Sequence, residues 1–249
     1  MRRPAFDSHD CLSATCFAQK LGFEPGPDQA PVLEHVRRGI LCCHRQWGKS
    51  TIIAIKALHQ ALCHSGSLTL IASPGLRQSA ETVRKSAMFA RSLGMTTRGD
   101  GQNRVSLLFR NGSRIVGLPE TEHTTVGFTE VSLLIFDEAA RVPDPQYYAL
   151  RPVLLATDGA LLLLSTPQGK RGFFHREWSR GGDAWMRVHV PATANRRVRP
   201  AWIEEERISM PDSRFRQDYL CEFLQPDNAI FRTEDIQALF RDDIEPLDD

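Results

Sequence analysis

The sequence predicts an α/β protein of three layers, a mostly parallel central sheet flanked by helices, with an added β-hairpin. Three observations carry that expectation. Short, nearly continuous apolar runs recur at Gly39–Cys43, Leu68–Ala72, Val131–Phe136 and Ala160–Leu164, the pattern of strands buried on both faces of a parallel sheet. Segments with apolar residues at helical spacing lie between them, so strands and helices alternate. Asn111-Gly112 separates two further strand-like runs, a strong hairpin signal.

In chain order, residues 1–30 lack periodicity and read as an N-terminal loop arm, rich in Pro, Gly and Asp near its end. A short helix from Pro31 precedes the first strand. Lys49 to Cys63 reads as a helix, with Ile52, Ile55, Leu58 and Leu62 on one face and Ser65-Gly66-Ser67 as its stop. The strand Leu68–Ala72 ends at Ser73-Pro74-Gly75, and a helix follows from Leu76 to Leu93. The hairpin covers 105–118. After the strand at 131–136 come a helix near Pro145–Leu155, the strand Ala160–Leu164, another helix and the strand Trp185–Val190. Helices at Ala201–Met210 and Ser213–Phe223 complete the core. A composition break near Gln225-Pro226-Asp227 divides the chain into the arm (1–30), a main domain (31–225) and an acidic C-terminal segment (226–249).

Two of the strand ends carry chemistry. Cys42-Cys43-His44-Arg45-Gln46-Trp47-Gly48-Lys49-Ser50-Thr51 ends as a phosphate-binding loop does. Gly48 lets backbone N–H groups approach a polyphosphate, Lys49 reaches the β- and γ-phosphates, and the Ser50 hydroxyl ligates Mg²⁺. The helix that follows adds its positive dipole end. The full pattern places Gly at the position of Cys43, and a plain turn before a helix fits the loop alone. The second strand end is Asp137-Glu138-Ala139. Adjacent carboxylates leaving a buried strand need compensation by a cation or hydrogen bonds. In nucleotide hydrolases the first supports Mg²⁺ and the second activates water. Together the two motifs predict a site for ATP and Mg²⁺.

Bulk properties set limits. The 249 residues carry a net charge of +1, and no apolar run approaches membrane-spanning length, so no membrane partner is expected. Arg2-Arg3 is not followed by the apolar stretch of a secretory signal. The six cysteines show no C-x-x-C pair, and reduced thiols in a cytosolic protein are the simplest expectation. Cys11 with Cys16, or Cys63 beside His64, has less support as a metal-ligand set. From Thr166 to Arg216 there are eleven Lys or Arg against six acids, and from Gln217 onward two against ten. The basic stretch suits contact with a phosphate backbone; a solvated helix face balanced by an acidic tail fits it equally.

Arg45-Gln46-Trp47-Gly48-Lys49-Ser50-Thr51, Leu134-Ile135-Phe136-Asp137-Glu138-Ala139-Ala140 and Leu163-Leu164-Ser165-Thr166-Pro167-Gln168-Gly169-Lys170 together resemble the ATPase domain of large terminase subunits, the DNA-packaging motors of tailed bacteriophages. The resemblance covers roughly residues 22–240 and tolerates a non-glycine at Cys43. It implies a P-loop NTPase fold and the packaging of double-stranded DNA into procapsids, in the cytoplasm of a bacterial host. A portal protein, a small terminase subunit and a homo-oligomeric ring are its implied partners. Carried over by position, Gln29 would recognise adenine, and Arg45, Gln46, Gly48, Lys49, Ser50 and Thr51 would hold the nucleotide, with Arg45 facing the γ-phosphate. Ser50 and Asp137 would hold the metal, Glu138 would deprotonate water, and Ser165 and Thr166 would couple hydrolysis to DNA movement. A strand-to-helix turn also accounts for Ser165-Thr166-Pro167.

Two departures stand out. The family's Arg-Gly before the catalytic glutamate is Val126-Gly127 here, leaving Arg141 or Arg151 as substitutes. The nuclease domain that usually follows is not expected within this chain, so no nuclease activity is expected of it. Two rival readings remain. One is a superfamily-2-like helicase or DNA translocase, which shares Asp-Glu-Ala. The other is a truncated prophage remnant that binds nucleotide or DNA without turnover.

Overall fold

The computed structural model describes residues 6, 11, 13–34, 36–119, 127–195 and 197–225. Val126 and the acidic segment 226–249 lie outside the described residues.

Seven strands form one sheet. They are β1 (Arg38–Cys43), β2 (Leu68–Ala72), β3 (Ser106–Leu108), β4 (Arg114–Gly117), β5 (Val131–Asp137), β6 (Ala160–Ser165) and β7 (Met186–Val190), in spatial order β3-β4-β2-β5-β6-β1-β7. Only β3 runs antiparallel, as the outer arm of the hairpin, where Gly112 takes the left-handed φ of 81° that its turn requires. The helices are α1 (Ala14–Lys20), α2 (Ala30–Leu33), α3 (Lys49–Cys63), α4 (Leu76–Ser92), α5 (Asp144–Leu150), α6 (Gly172–Arg180), α7 (Pro200–Ser209) and α8 (Asp212–Asp218).

The apolar strands feed two cores by alternation. Leu41, Cys43, Ile71, Ile135, Leu162 and Leu164 pack towards α1 to α4. Their neighbours Ile40, Cys42, Leu70, Phe136, Leu161 and Leu163 pack on Tyr147, Phe173 and Phe174 of α5 and α6. Residues of period two thus serve both faces, as an all-parallel centre demands. The expected three-layer α/β architecture with its hairpin is the one observed.

Four local expectations are corrected. The N-terminal stretch read as a loop contains α1. Its first turn is held by Ser13, whose Oγ accepts from Cys16 N, and by Glu34, whose carboxylate accepts from Ser13 Oγ (2.9 Å) and the backbone N–H of Ala14 and Thr15 (3.3 and 2.9 Å). The helix near Pro145–Leu155 is α5 followed by a 3₁₀ turn, Arg151–Leu154, because Pro152 has no N–H to continue the ladder. The last helix stops at Asp218, short of Phe223, and Cys221 adopts a left-handed φ of 59°. Cys11 and Cys63 are joined in a disulfide, with Cα atoms 5.3 Å apart, so those two thiols are not reduced; Cys16, Cys42, Cys43 and Cys221 are free.

Candidate nucleotide-binding site

Strand order alone gathers the chemistry. β6 lies between β1 and β5, and its register aligns Cys42 with Ser165 and Asp137 with Leu164. The loop after β1, the hydroxyls ending β6 and the carboxylates ending β5 therefore all leave the C-terminal end of the parallel strands. At about 4.8 Å per strand, the loop and the carboxylates stand roughly 10 Å apart, room for a phosphate, a cation and a water.

The loop closes on Gly48, which caps α3 with φ 97° and ψ 20°. That left-handed conformation costs an L residue about 1–2 kcal/mol, so glycine is a structural requirement here. The buried Lys49 donates from Nζ to the carbonyls of Cys43 and His44, both at 3.1 Å. Ser50 and Thr51 are partly exposed in the first turn of α3, where Thr51 N already donates to the Gly48 carbonyl at 3.0 Å and the N–H groups ahead of it precede the helical ladder. Burial, reinforced by the Lys49 charge, lowers the His44 ring to a pKa of about 4. His44 is therefore neutral at physiological pH, with Nδ1 accepting from Gln46 N (3.3 Å) and Nε2 lying 2.9 Å from the Asn195 side-chain amide.

Asp137 is buried at the tip of β5. Its Oδ1 accepts from Glu138 N (3.1 Å) and its Oδ2 lies 3.5 Å from Thr82 Oγ1. Burial and then the Glu138 charge raise its pKa to about 6, against the opposing pull of Lys49. The Lys49 charge is thus felt at Asp137. Glu138 is left-handed, φ 53° and ψ 42°, a non-glycine strain of the kind that concentrates at functional positions. Its carboxylate is held by Arg141 Nη1 at 2.6 Å, and the same nitrogen donates to Thr166 Oγ1 at 3.2 Å. Arg141 therefore joins the end of β5 to the end of β6.

The buried hydroxyls of Ser165 and Ser73, at the ends of β6 and β2, have no hydrogen-bond partner. Orphaned polar atoms on the strands either side of the carboxylates fit a site that takes a charged, oxygen-rich ligand.

Two predicted residues are placed differently from the rest. The exposed Arg45 reaches Asp218 on α8, with Nη2 3.3 Å from Oδ2, and Arg214 Nε shares that oxygen at 2.7 Å. Gln29 is buried, its Nε2 donating to Trp47 O (2.7 Å) and its Oε1 accepting from Gly26 N (2.9 Å). Its amide therefore braces the loop, at the wall of a cleft of about 430 Å³ that Gln46, Trp47, Asn195 and Arg197 also line. Sequence reasoning missed Thr82, whose place in α4 carries no motif. It named Arg141 only as a substitute for the arginine expected at Val126, not as the bridge between Glu138 and Thr166; a basic residue three after an acid on one turn was the available signal.

A seven-stranded, mostly parallel sheet with a glycine–lysine loop after β1 and paired carboxylates after β5 defines a P-loop NTPase-like α/β protein. Residues 43–238 match the family described as "Terminase large subunit, T4likevirus-type, N-terminal". The chain is 26% identical over 261 residues to the terminase large subunit of Thermus virus P23-45, covering 90% of this chain and 53% of that protein. It superposes on the large terminase ATPase domain of Thermus phage P74-26 with a TM-score of 0.72 and 25% identity, covering 84% of this chain and 98% of that one. The large terminase of another thermophilic bacteriophage, solved in complex with ADP, shares the fold, with a TM-score of 0.66, 12% identity, and 80% of this chain and 53% of that one covered. The chain belongs to the terminase large-subunit family, matching its N-terminal ATPase part. It spans about half the length of its relative from Thermus virus P23-45.

Proposed function

We propose that this chain hydrolyses ATP to drive double-stranded DNA into a phage procapsid, working in the host cytoplasm with a portal protein and a small terminase subunit, in a homo-oligomeric ring. The observation that carries the reading is the shared C-terminal end of β1, β5 and β6, from which Lys49, Asp137–Glu138 and Ser165–Thr166 emerge, with Arg141 tying Glu138 to Thr166. Residues 31–225 form the catalytic unit.

Lys49 leaves the Cys43 and His44 carbonyls for the β- and γ-phosphates, where charge-assisted bonds are stronger. Gly48, Ser50 and Thr51 supply backbone and hydroxyl donors, and Gln46 and Gln29 border the base. Ser50 and Asp137 would hold Mg²⁺, which when bound neutralises charge on the phosphate oxygens. Glu138 accepts a proton from water as its oxygen attacks the γ-phosphorus, and the bond to ADP breaks. Arg141 positions the carboxylate through Oε2, leaving Oε1 to face the water, and the same guanidinium nitrogen carries the contact on to Thr166.

Phosphate release, measured with and without double-stranded DNA, tests the reading. Lys49→Ala is expected to abolish turnover, and Glu138→Gln to bind ATP with little cleavage. Full hydrolysis by Lys49→Ala would refute the site. ATP-dependent strand separation would favour a helicase instead, and nucleotide binding without turnover in the unmodified chain would favour a remnant.

A further inference from the structure

A second cluster lies beside the loop, on the sheet face turned away from α3. Cys42 of β1 and His189 of β7 are partners in the parallel ladder, so their side chains leave adjacent strands on the same face. The segment after α8 brings Cys221 over them. Ala192 N donates to Tyr219 O at 2.7 Å, the Cys221 Sγ lies 3.5 Å from Val190 O, and the Cys42 Sγ lies 3.5 Å from Cys221 O. The left-handed backbone of Cys221 is a cost that its thiol position would justify. Both sulfurs and a His189 ring nitrogen lie within 4.8 Å of one another, and among the described residues no other three His, Cys, Asp or Glu converge in this way.

We propose that Cys42, His189 and Cys221 bind one zinc ion. Two sulfurs and an imidazole nitrogen are the donor set that suits this borderline-soft cation. Zinc–ligand distances of about 2.0–2.3 Å set such atoms roughly 3.5–4 Å apart, inside the 4.8 Å that bounds them here, so any adjustment is small. The exposed His189 supplies that adjustment by ring rotation, and its side of the cluster leaves the fourth position to water. Both thiols give up their protons to solvent as the zinc–sulfur bonds form; nothing is oxidised or reduced. Cys42 precedes the phosphate-binding loop by one residue, so the ion would staple residues 219–223 to the root of that loop. The site does not depend on the nucleotide reading.

The full chain, stripped with a chelator and then titrated with Co²⁺, gives the test. One equivalent is expected to produce thiolate-to-cobalt charge-transfer and tetrahedral d–d absorption, both removed by added Zn²⁺. The Trp178 ring, 6.0 Å from that of His189, is expected to lose fluorescence as Co²⁺ enters. Cys221→Ser should lose tight binding, and so should the exposed His189→Gln, whose unchanged melting would show the fold intact. Cys16→Ser should bind as the parent does. Absence of the thiolate band, its persistence in both ligand variants, or recovery of Cys42 and Cys221 as a disulfide would overturn the site.

Discussion

Asp137→Asn should make the protein more stable while removing its activity. The carboxyl is buried, and its pKa is raised to about 6 by desolvation and the Glu138 charge, with Lys49 offsetting only part. An unfolded chain ionises the same group near 3.8, its reference value. Between about pH 4 and 6 the folded state therefore holds more protons than the unfolded one, and stability falls as pH rises. Above pH 6 the loss is complete. Two pKa units correspond to about 3 kcal/mol. Asparagine carries no charge to desolvate, keeps the bond from Glu138 N at Oδ1, and can donate from Nδ2 to the Thr82 hydroxyl, which is free to rotate. Urea melts in chelator at pH 4, 5, 6 and 7.5 should show variant and parent equal at pH 4. At pH 7.5 they should differ by up to about 3 kcal/mol, or about 6–12 °C in Tm for a chain of this size. A variant no more stable than the parent at pH 7.5, or a difference independent of pH, would refute the reasoning.

Arg141→Ala frees Glu138 from its 2.6 Å partner and cuts the bridge to Thr166. Hydrolysis should fall by about 10²-fold, the scale of a misplaced catalytic group, with ATP affinity retained in equilibrium binding. Gly48→Ala forces an L residue to φ 97° and sets its Cβ 3.3 Å from the Gln29 amide. The loss should be about 1–2 kcal/mol in denaturant melts, together with weakened nucleotide binding. Alkylation of the denatured, non-reduced chain should modify four of the six cysteines, leaving Cys11 and Cys63. Six labelled thiols in the mass spectrum would deny the pairing.

The central strands were legible because burial on both faces leaves no polar position to disguise them: Leu68–Ala72 matches β2 residue for residue, and Lys49–Cys63 matches α3. The positions of the loop and the carboxylates at the ends of β1 and β5 were legible because each motif is local. What sequence could not supply is pairing at a distance. α1 depends on Glu34, whose hydrogen bonds, resisting the effect of burial, also hold its carboxyl below the usual range. Neither Glu34 nor its targets signals the other across twenty residues. Cys11 meets Cys63 only because α1 packs on α3, where Phe17 and His59 stand 5.4 Å apart. The expectation of free thiols rested on spacing and on a cytosolic setting, neither of which says anything about such contacts. Cys221 gave no hint of its left-handed backbone, since turns of that kind are normally announced by glycine.

Arg45 shows how the loop and α8 share one energetic problem. Asp218 is buried, with two arginines at Oδ2 and no partner at Oδ1. Both arginines are half-exposed, so water screens each ion pair, and losing one of them costs about 1 kcal/mol or less. A triphosphate offers the same guanidinium several charge-assisted bonds at once. Under the proposed function, Arg45 would therefore transfer from Asp218 to the phosphate, with Arg214 left to neutralise the acid. Lys49 faces a harder exchange, because it must leave two buried carbonyl acceptors that then need other donors. On that proposed function the exposed arginine would be exchanged at lower cost than the buried lysine, and α8, which holds its present partner Asp218, would lose that contact when the loop is occupied.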